Sequence, residues 1–427
     1  MSTTVTPAAE APEALPGVQA PEALAAVEQP AAQDASRMLW LTNVSHANNH
    51  FQNQMISVLY PVIMADLGFD YAQLGILTAL RNLLGNAMQI VYGMLTPFVS
   101  RTRILAWGNF GIALGTLVTG LVGSFAGFFV ARSLTSVASS AQHPVGMSIL
   151  SGYFPKRRGM ILALNNSIAN VGSLLAPLLA GVLLYVMGWR QVFLLVAGMS
   201  LVIGVVYLLV ADRGGAGSVG RKARFAAGLT SYKRVLRHRN IMLISLVMMV
   251  GAAGRGDGVQ TYLAPHLVND LSLTVFVVSL ALTAMQVGAI MGPIVLGWLS
   301  DRYSRKGVLQ LSLLLSAGAT WWLAYQGAQV PSLMLNMLTF GAVTTSRNSL
   351  TQALIADSLG DADRDAAFSV YYFIGFISDP IWSLVGGFLM QGFGFELAFS
   401  RLALSYLVGM VLVLFIVDPR TQAHTAS

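Results

Sequence analysis

Apolar stretches long enough to cross a bilayer follow one another along almost the whole chain, separated by short polar breaks. A helical span needs about 20 predominantly apolar residues. By that measure twelve candidate spans stand out: residues 38–63, 73–96, 104–123, 126–150, 160–187, 190–211, 240–267, 273–299, 307–327, 331–356, 366–391 and 395–417. Each is expected to be a helix, because unpaired backbone groups are not tolerated in lipid. The one long break, 212–239, divides them six and six, which marks two related halves. The pattern predicts an all-α membrane protein of two pseudo-symmetric six-helix bundles. The first bundle is expected at 37–211, a basic linker at 212–239 and the second bundle at 240–418, with tails at 1–36 and 419–427.

The basic residues alternate by side. Arg101 and Arg103, then Lys156, Arg157 and Arg158, fall in two breaks of the first half. The long break carries Arg213, Arg221, Lys222, Arg224, Lys233, Arg234, Arg237 and Arg239, and a further break holds Arg302, Arg305 and Lys306. The intervening breaks near 64–72, 124–125, 268–272, 328–330 and 392–394 hold no Lys or Arg, and Arg190 stands at the remaining one. The positive-inside rule therefore expects both termini and the long break in the cytoplasm of a bacterial-type inner membrane.

Composition agrees with the span pattern. The chain has 427 residues, 55% hydrophobic and 10% charged, whereas a soluble domain carries about 25% charged residues. No room is left for a sizeable soluble domain. The net charge of +7 is accounted for by the basic loops, so nucleic acid is not implied. The absence of cysteine excludes disulfides, thiolate metal sites and cysteine nucleophiles. Residues 1–36, rich in Ala, Pro and Glu, read as a disordered tail rather than a signal peptide.

Polar residues within the spans are expensive and mark cavities or helix contacts. Span one carries His46, Asn49, His50 and Asn53 on one helical face, either lining a cavity or bonding neighbouring helices. Either histidine also titrates near physiological pH. Span four carries Arg132, Ser136, Ser139 and His143 on one stripe, which Pro144 then kinks or ends. Span seven holds Gly251, Gly254, Gly256 and Gly258 around Arg255 and Asp257, a glycine density that weakens a helix. Asp257 and Asp379 are the few acids placed to carry a proton, Asp257 alternatively pairing with a buried arginine. Arg81, Arg132, Arg255 and Arg347 sit within spans, at roughly 10–14 kcal/mol together before compensation. This excess of positive charge favours an anionic substrate. Asn165, Asn166 and Asn170 in span five, and Tyr371, Tyr372 and Trp382 in span eleven, are candidates to bind or stack a ligand. The substrate-binding set is Arg81, Arg255, Arg347, His46, Asn49, His50, Asn166, Asn170 and Tyr372. The proton-coupling set is Asp257, Arg132, His143 and Asp379.

The run Gly297-Trp298-Leu299-Ser300-Asp301-Arg302-Tyr303-Ser304-Arg305-Lys306 resembles the loop signature of the major facilitator superfamily. In this gating loop Gly297 is expected to allow close helix contact, with Asp301, Arg302 and Arg305 latching one access state. The first-half counterpart begins at Gly93 and has Pro97 where the acid belongs. Gly172 to Gly181, with Pro177, looks like the superfamily's antiporter motif in span five, with alanines at two glycine positions. Arg132 resembles the superfamily's span-four arginine, which implies a part in proton coupling. His46-x-x-Asn49, Tyr60-Pro61, Tyr71-Ala72-Gln73-Leu74-Gly75, His143-Pro144 and Arg157-Arg158-Gly159 look like the fosmidomycin-resistance branch of drug/proton antiporters.

That resemblance implies the major facilitator fold and proton-driven export of a small, negatively charged or amphipathic compound. A proton-coupled importer of an organic anion such as a carboxylate has the same sequence features. A receptor that binds without transport belongs to a third class, but no loop suggests a signalling domain. Expected partners are the substrate, protons and the bilayer, with the protein a monomer. No cofactor is implied. No nucleophile–base spacing or metal-ligand cluster stands out, so an enzyme is not expected.

Overall fold

The computed structural model describes residues 32–96, 98–154, 157–210, 232–251, 258–358 and 361–418. The described residues are helical nearly throughout. In the first half run α1 (Ala32–Leu67), α2 (Tyr71–Leu95), α3 (Arg101–Leu121), α4 (Phe125–Ser139), α5 (Met147–Tyr153), α6 (Arg158–Val186) and α7 (Trp189–Leu209). In the second run α8 (Arg239–Gly251), α9 (Gln260–Asn269), α10 (Val275–Arg302), α11 (Arg305–Ala324), α12 (Val330–Ser358) and α13 (Asp361–Leu414). Six of these helices are long and apolar enough to cross a membrane by length and composition.

The ends follow local chemistry. Asp70 caps α2 in a reciprocal box with Gln73, at 2.8 and 3.0 Å. Ser124, Thr274 and Ser304 accept the backbone N–H three residues on and so start α4, α10 and α11. Pro144 cannot continue the α-helical ladder, and residues Gln142–Gly146 form a π-helix joining α4 to α5. The break expected at 392–394 is a reversal inside α13, where Gly394 adopts φ 74°, a conformation suited to glycine.

Two expected boundaries shift. The tail expected to reach residue 36 stops earlier, because α1 already begins at Ala32 and Asp34 in its first turn faces Arg37 at 4.0 Å. The linker expected to reach residue 239 also ends early, since residues 232–237 are helical and bury Val235 in the second-half core. Residues 1–31, 211–231 and 419–427 lie outside the described residues.

Three apolar cores show how the halves meet. The largest joins both halves: Met55, Leu59 and Phe69 pack with Val192, Leu263, Leu282, Phe340 and Phe399. Phe69, Val192 and Leu263 lie close to the breaks near residues 67–71, 187–189 and 269–275, and the others lie further along helices that start or end at the same side of the bundle. At the opposite end there are two separate cores. One holds only first-half residues such as Met38, Ile104, Ile149 and Tyr207. The other holds only second-half residues such as Ile241, Leu313, Leu354 and Tyr406. Among the described residues the halves are therefore sealed at one end and parted at the other.

Small residues make the seal. A Cβ on Gly75 would lie 2.7 Å from the Tyr262 hydroxyl and 2.8 Å from the Ser383 carbonyl oxygen. Gln260 Nε2 donates across the halves to Gln54 Oε1 at 3.1 Å. Gly181 of α6 packs directly on Ser279 of α10, also across the halves. At the parted end the contrast is complete. Gly93 and Gly297, at matching places in the two halves, would each present a Cβ to nothing within 4 Å. The close helix contact expected at Gly297 is not made among the described residues.

Candidate functional site

Helix α1 is polar on two sides within an otherwise apolar bundle. One stripe, Ser45, Asn48 and Gln52, anchors it. Ser45 donates to Gln142 Oε1 at 2.8 Å, and Asn48 and Gln52 donate to Ser200 Oγ at 2.8 and 2.6 Å. The Thr116 hydroxyl donates to Gln52 Oε1 at 2.9 Å. Each of these groups is buried and bonded, as a low-dielectric interior requires.

The other stripe forms the site. His46 is 2% exposed and its Nδ1 lies 2.7 Å from Asn165 Oδ1. Asn165 in turn donates from Nδ2 to Asn43 Oδ1 at 2.7 Å, so its oxygen faces the histidine and His46 Nδ1 carries the proton. His50 Nδ1 lies 3.1 Å from Ser173 Oγ. Asn49 donates to the Ser139 carbonyl at 2.9 Å, and Asn53 donates to Asn49 Oδ1 at 2.9 Å. Gly172 lets α6 approach this stripe, since a Cβ there would strike the Ala47 carbonyl. The span-five glycines thus act in close helix packing, Gly172 on α1 and Gly181 on α10.

The π-helix brings in His143. Its ring centroid is 5.1 Å from that of His46 and 6.0 Å from that of His50, and the His46–His50 distance is 4.8 Å. No metal-ligand cluster stands out from sequence spacing, yet the fold gathers three histidines. One ring nitrogen from each of the three histidines lies within 4.8 Å of the others. The sequence separates His143 from His50 by too many residues for spacing to show this.

A polar cavity of about 150 Å³ opens beside the histidines, lined by Asn49, Asn53, Arg81, Asn86, Ser139 and His143 among others. Its described lining includes one cation, Arg81, and no acid. Arg81 Nη1 has no hydrogen-bond partner among the described residues. The Ser136 hydroxyl donates to the Arg81 carbonyl at 2.7 Å, where Gly85 leaves room for it. Arg132, one turn earlier on α4, is 1% exposed, lies within electrostatic range of Arg81, and stacks over Phe193 at 5.8 Å.

Asn86 and Gln89 also line a second, apolar cavity of about 800 Å³ between α2 and α13 at the parted end. Its walls include Leu83, Ile90, Leu236, Tyr372 and Phe373. Polar and apolar chambers thus share a wall.

The remaining candidates are distributed. Asn166 and Asn170 lie on the exposed side of α6 and line neither cavity; the buried Asn165 occupies the site instead. Tyr372 lines the apolar chamber and not the polar one. Arg347 is 1% exposed in the second half, packed against Gly251 and within electrostatic range of Asp379. Its Nε and Nη1 have no hydrogen-bond partner among the described residues. Arg255 and Asp257 lie outside the described residues.

The gating loop is ordered within its own half. Arg305 spans Asp301 at 3.2 Å and Asp357 at 2.6 Å, which ties α11 to the ends of α10 and α12. Arg302 lies over Trp298 at 5.7 Å. Lys306 donates to the carbonyls of Leu414 and Ile416 at 2.9 and 2.8 Å, closing the last turn of α13.

Comparison with known proteins matches the family model "Major Facilitator Superfamily" at residues 43–263 and 253–427. The fosmidomycin resistance protein of Escherichia coli (strain K12) is 22% identical over 393 residues, 91% of this chain and 95% of that protein. A probable sulfoacetate transporter of Cupriavidus necator is 24% identical over 385 residues, 83% of this chain and 82% of that protein. A crystal structure of a bacterial homologue of the human lysosomal transporter Spinster, inward-facing and unoccupied, superposes with a TM-score of 0.74. It is 18% identical and the match covers 91% of this chain and 96% of that one.

Proposed function

The chain belongs to the major facilitator superfamily of membrane transporters, and from that premise we propose that it exports a small anionic or amphipathic compound in exchange for protons. The carrying observation is the polar cavity. It holds Arg81 with Arg132 behind it, amides and hydroxyls around it, and no acid in its described lining. A cation in a polar cavity, with one guanidinium nitrogen unbonded and no acid in the described lining, favours an anion there. The neighbouring apolar chamber suits a hydrocarbon portion of the same molecule.

Alternating access supplies the transport step. Twelve helices in two halves would rock about the central site. With the basic loops cytoplasmic, the parted end faces the cytoplasm and this conformation loads an exported substrate. His143, Arg132 and Asp379 are the described candidates for proton coupling, and Asp257 completes the set. The test uses everted vesicles with an acidic interior and a quenched pH dye. Phosphonates, carboxylates and amphipathic drugs are added one at a time. Substrate-induced dequenching that depends on the protein supports antiport; a silent panel overturns it.

The second reading is import of an organic anion, favoured by the similarity to a probable sulfoacetate transporter. The same cavity serves both directions, since the gradients set the direction. Uptake of a labelled organic acid into right-side-out vesicles, driven by an inward proton gradient, distinguishes it.

A further inference from the structure

We infer that His46, His50 and His143 form a binding site for one divalent transition-metal ion, with its remaining coordination position open to the polar cavity. Three histidines within the bundle interior need a reason beyond packing. His46 and His50 are one helical turn apart on α1, so their rings share a face. The π-helix sets His143 against both, and one nitrogen of each ring lies within 4.8 Å of the other two.

The second observation is the state of His46. Its Nδ1 hydrogen is committed to Asn165, whose own amide is held by Asn43. That leaves Nε2 with a lone pair, and this buried atom has no hydrogen-bond partner among the described residues. An outer partner that fixes the tautomer and leaves the other nitrogen bare is the arrangement metal-ligating histidines use. His50 repeats it in outline, with Nδ1 3.1 Å from Ser173 Oγ.

The donor set selects the ion. Three neutral imidazoles without a carboxylate suit Zn²⁺, Co²⁺, Ni²⁺ or Cu²⁺ and not Mg²⁺ or Ca²⁺. Tetrahedral zinc bonds of about 2.0–2.1 Å set ligand nitrogens about 3.4 Å apart, so the rings close by up to about 1.4 Å on binding. His50 and His143 are only partly buried and have the freedom to do so. Three protein ligands leave one position open, and His143 also lines the polar cavity. Water or an anion held by Arg81 would complete the shell there.

The test is equilibrium binding without any proton gradient, so its outcome is separate from that of the flux assay. Tag-free, chelator-treated protein in detergent is titrated with Co²⁺. One equivalent is expected to give tetrahedral d–d absorption that Zn²⁺ displaces. The absorption is lost in H50A and H143A and kept in H266A, a histidine paired elsewhere with Asp270. No binding, or a spectrum that survives both H50A and H143A, overturns the site. Where those variants aggregate, X-ray absorption of the wild-type Co²⁺ complex decides. A shell of three nitrogens plus oxygen supports the site and an all-oxygen shell overturns it.

Discussion

At the sealed end Gly75 of α2 faces Gly387 of α13, and a Cβ on Gly75 would lie 3.2 Å from the Gly387 Cα. The same Cβ would crowd the Tyr262 hydroxyl and the Ser383 carbonyl, both under 3 Å away. These are backbone and rigid-ring atoms, so they cannot give way. The close approach is how the two halves shut this end, and it exists only while both positions lack side chains.

Gly75→Val is therefore expected to hold this end apart and shift the population toward the opposite access state. The chain has no cysteine, so single cysteines report accessibility cleanly. G297C should react with a water-soluble maleimide in an otherwise wild-type chain, because Gly297 faces open space. Adding G75V should protect it. Equal labelling in both backgrounds would show that the glycine pair does not set the equilibrium.

The gating loop predicts an asymmetry between its two acids. Arg305 is 16% exposed, Asp357 27% and Asp301 65%. A solvent-exposed pair contributes roughly 0–1 kcal/mol, and the contact to Asp357 is both shorter and better shielded from water than that to Asp301. Asp357→Asn should then lower the thermal unfolding midpoint in detergent well beyond Asp301→Asn. Equal shifts would mean that Arg305 does not use Asp357 as its principal anchor.

The docking of α6 on α1 separates three asparagines of span five that composition alone could not rank. Asn165→Ala removes the acceptor for His46, at about 0.5–1.5 kcal/mol, and frees the ring to turn. Asn166→Ala and Asn170→Ala touch neither cavity and should stay within about 0.5 kcal/mol. Transport in the vesicle assay should fall for the first and hold for the others. The reverse order would place the substrate on the exposed side of α6.

Much of the fold was legible because lipid leaves few options. Apolar runs begin close to Asp70, Ser124, Thr274 and Ser304, which cap helix N-termini, and the short break near 392–394 became the turn at Gly394. The stripe of His46, Asn49, His50 and Asn53 was legible for the same reason, since helical spacing fixes a shared face. The parts that escaped are tertiary. Nothing local distinguishes Asn165 from Asn166 until α6 is docked on α1. His143, in the π-helix, meets His46 only once α4 and α1 are packed together. The open setting of Gly93 and Gly297 reflects which access state is populated, a property of the whole molecule.

Arg81 offers the sharpest separation between substrate binding and structure. It lines the polar cavity, is partly exposed, and has an Nη1 without a hydrogen-bond partner among the described residues. Arg132 is fully enclosed and stacks on Phe193, so its loss disturbs packing as well as charge. Arg81→Gln keeps the reach and a hydrogen-bonding head but removes the charge. If an anion binds here, its apparent affinity should fall by about tenfold or more, equivalent to about 1.4 kcal/mol, with the folded yield unchanged. Arg81→Lys should recover part of that loss, because charge returns without the guanidinium's forked geometry. The measurement is the concentration dependence of substrate-induced dequenching for the three proteins. If the glutamine variant bound anions as tightly as the wild type, the anion site would have to lie elsewhere, with Arg347 in the second half the next residue to replace.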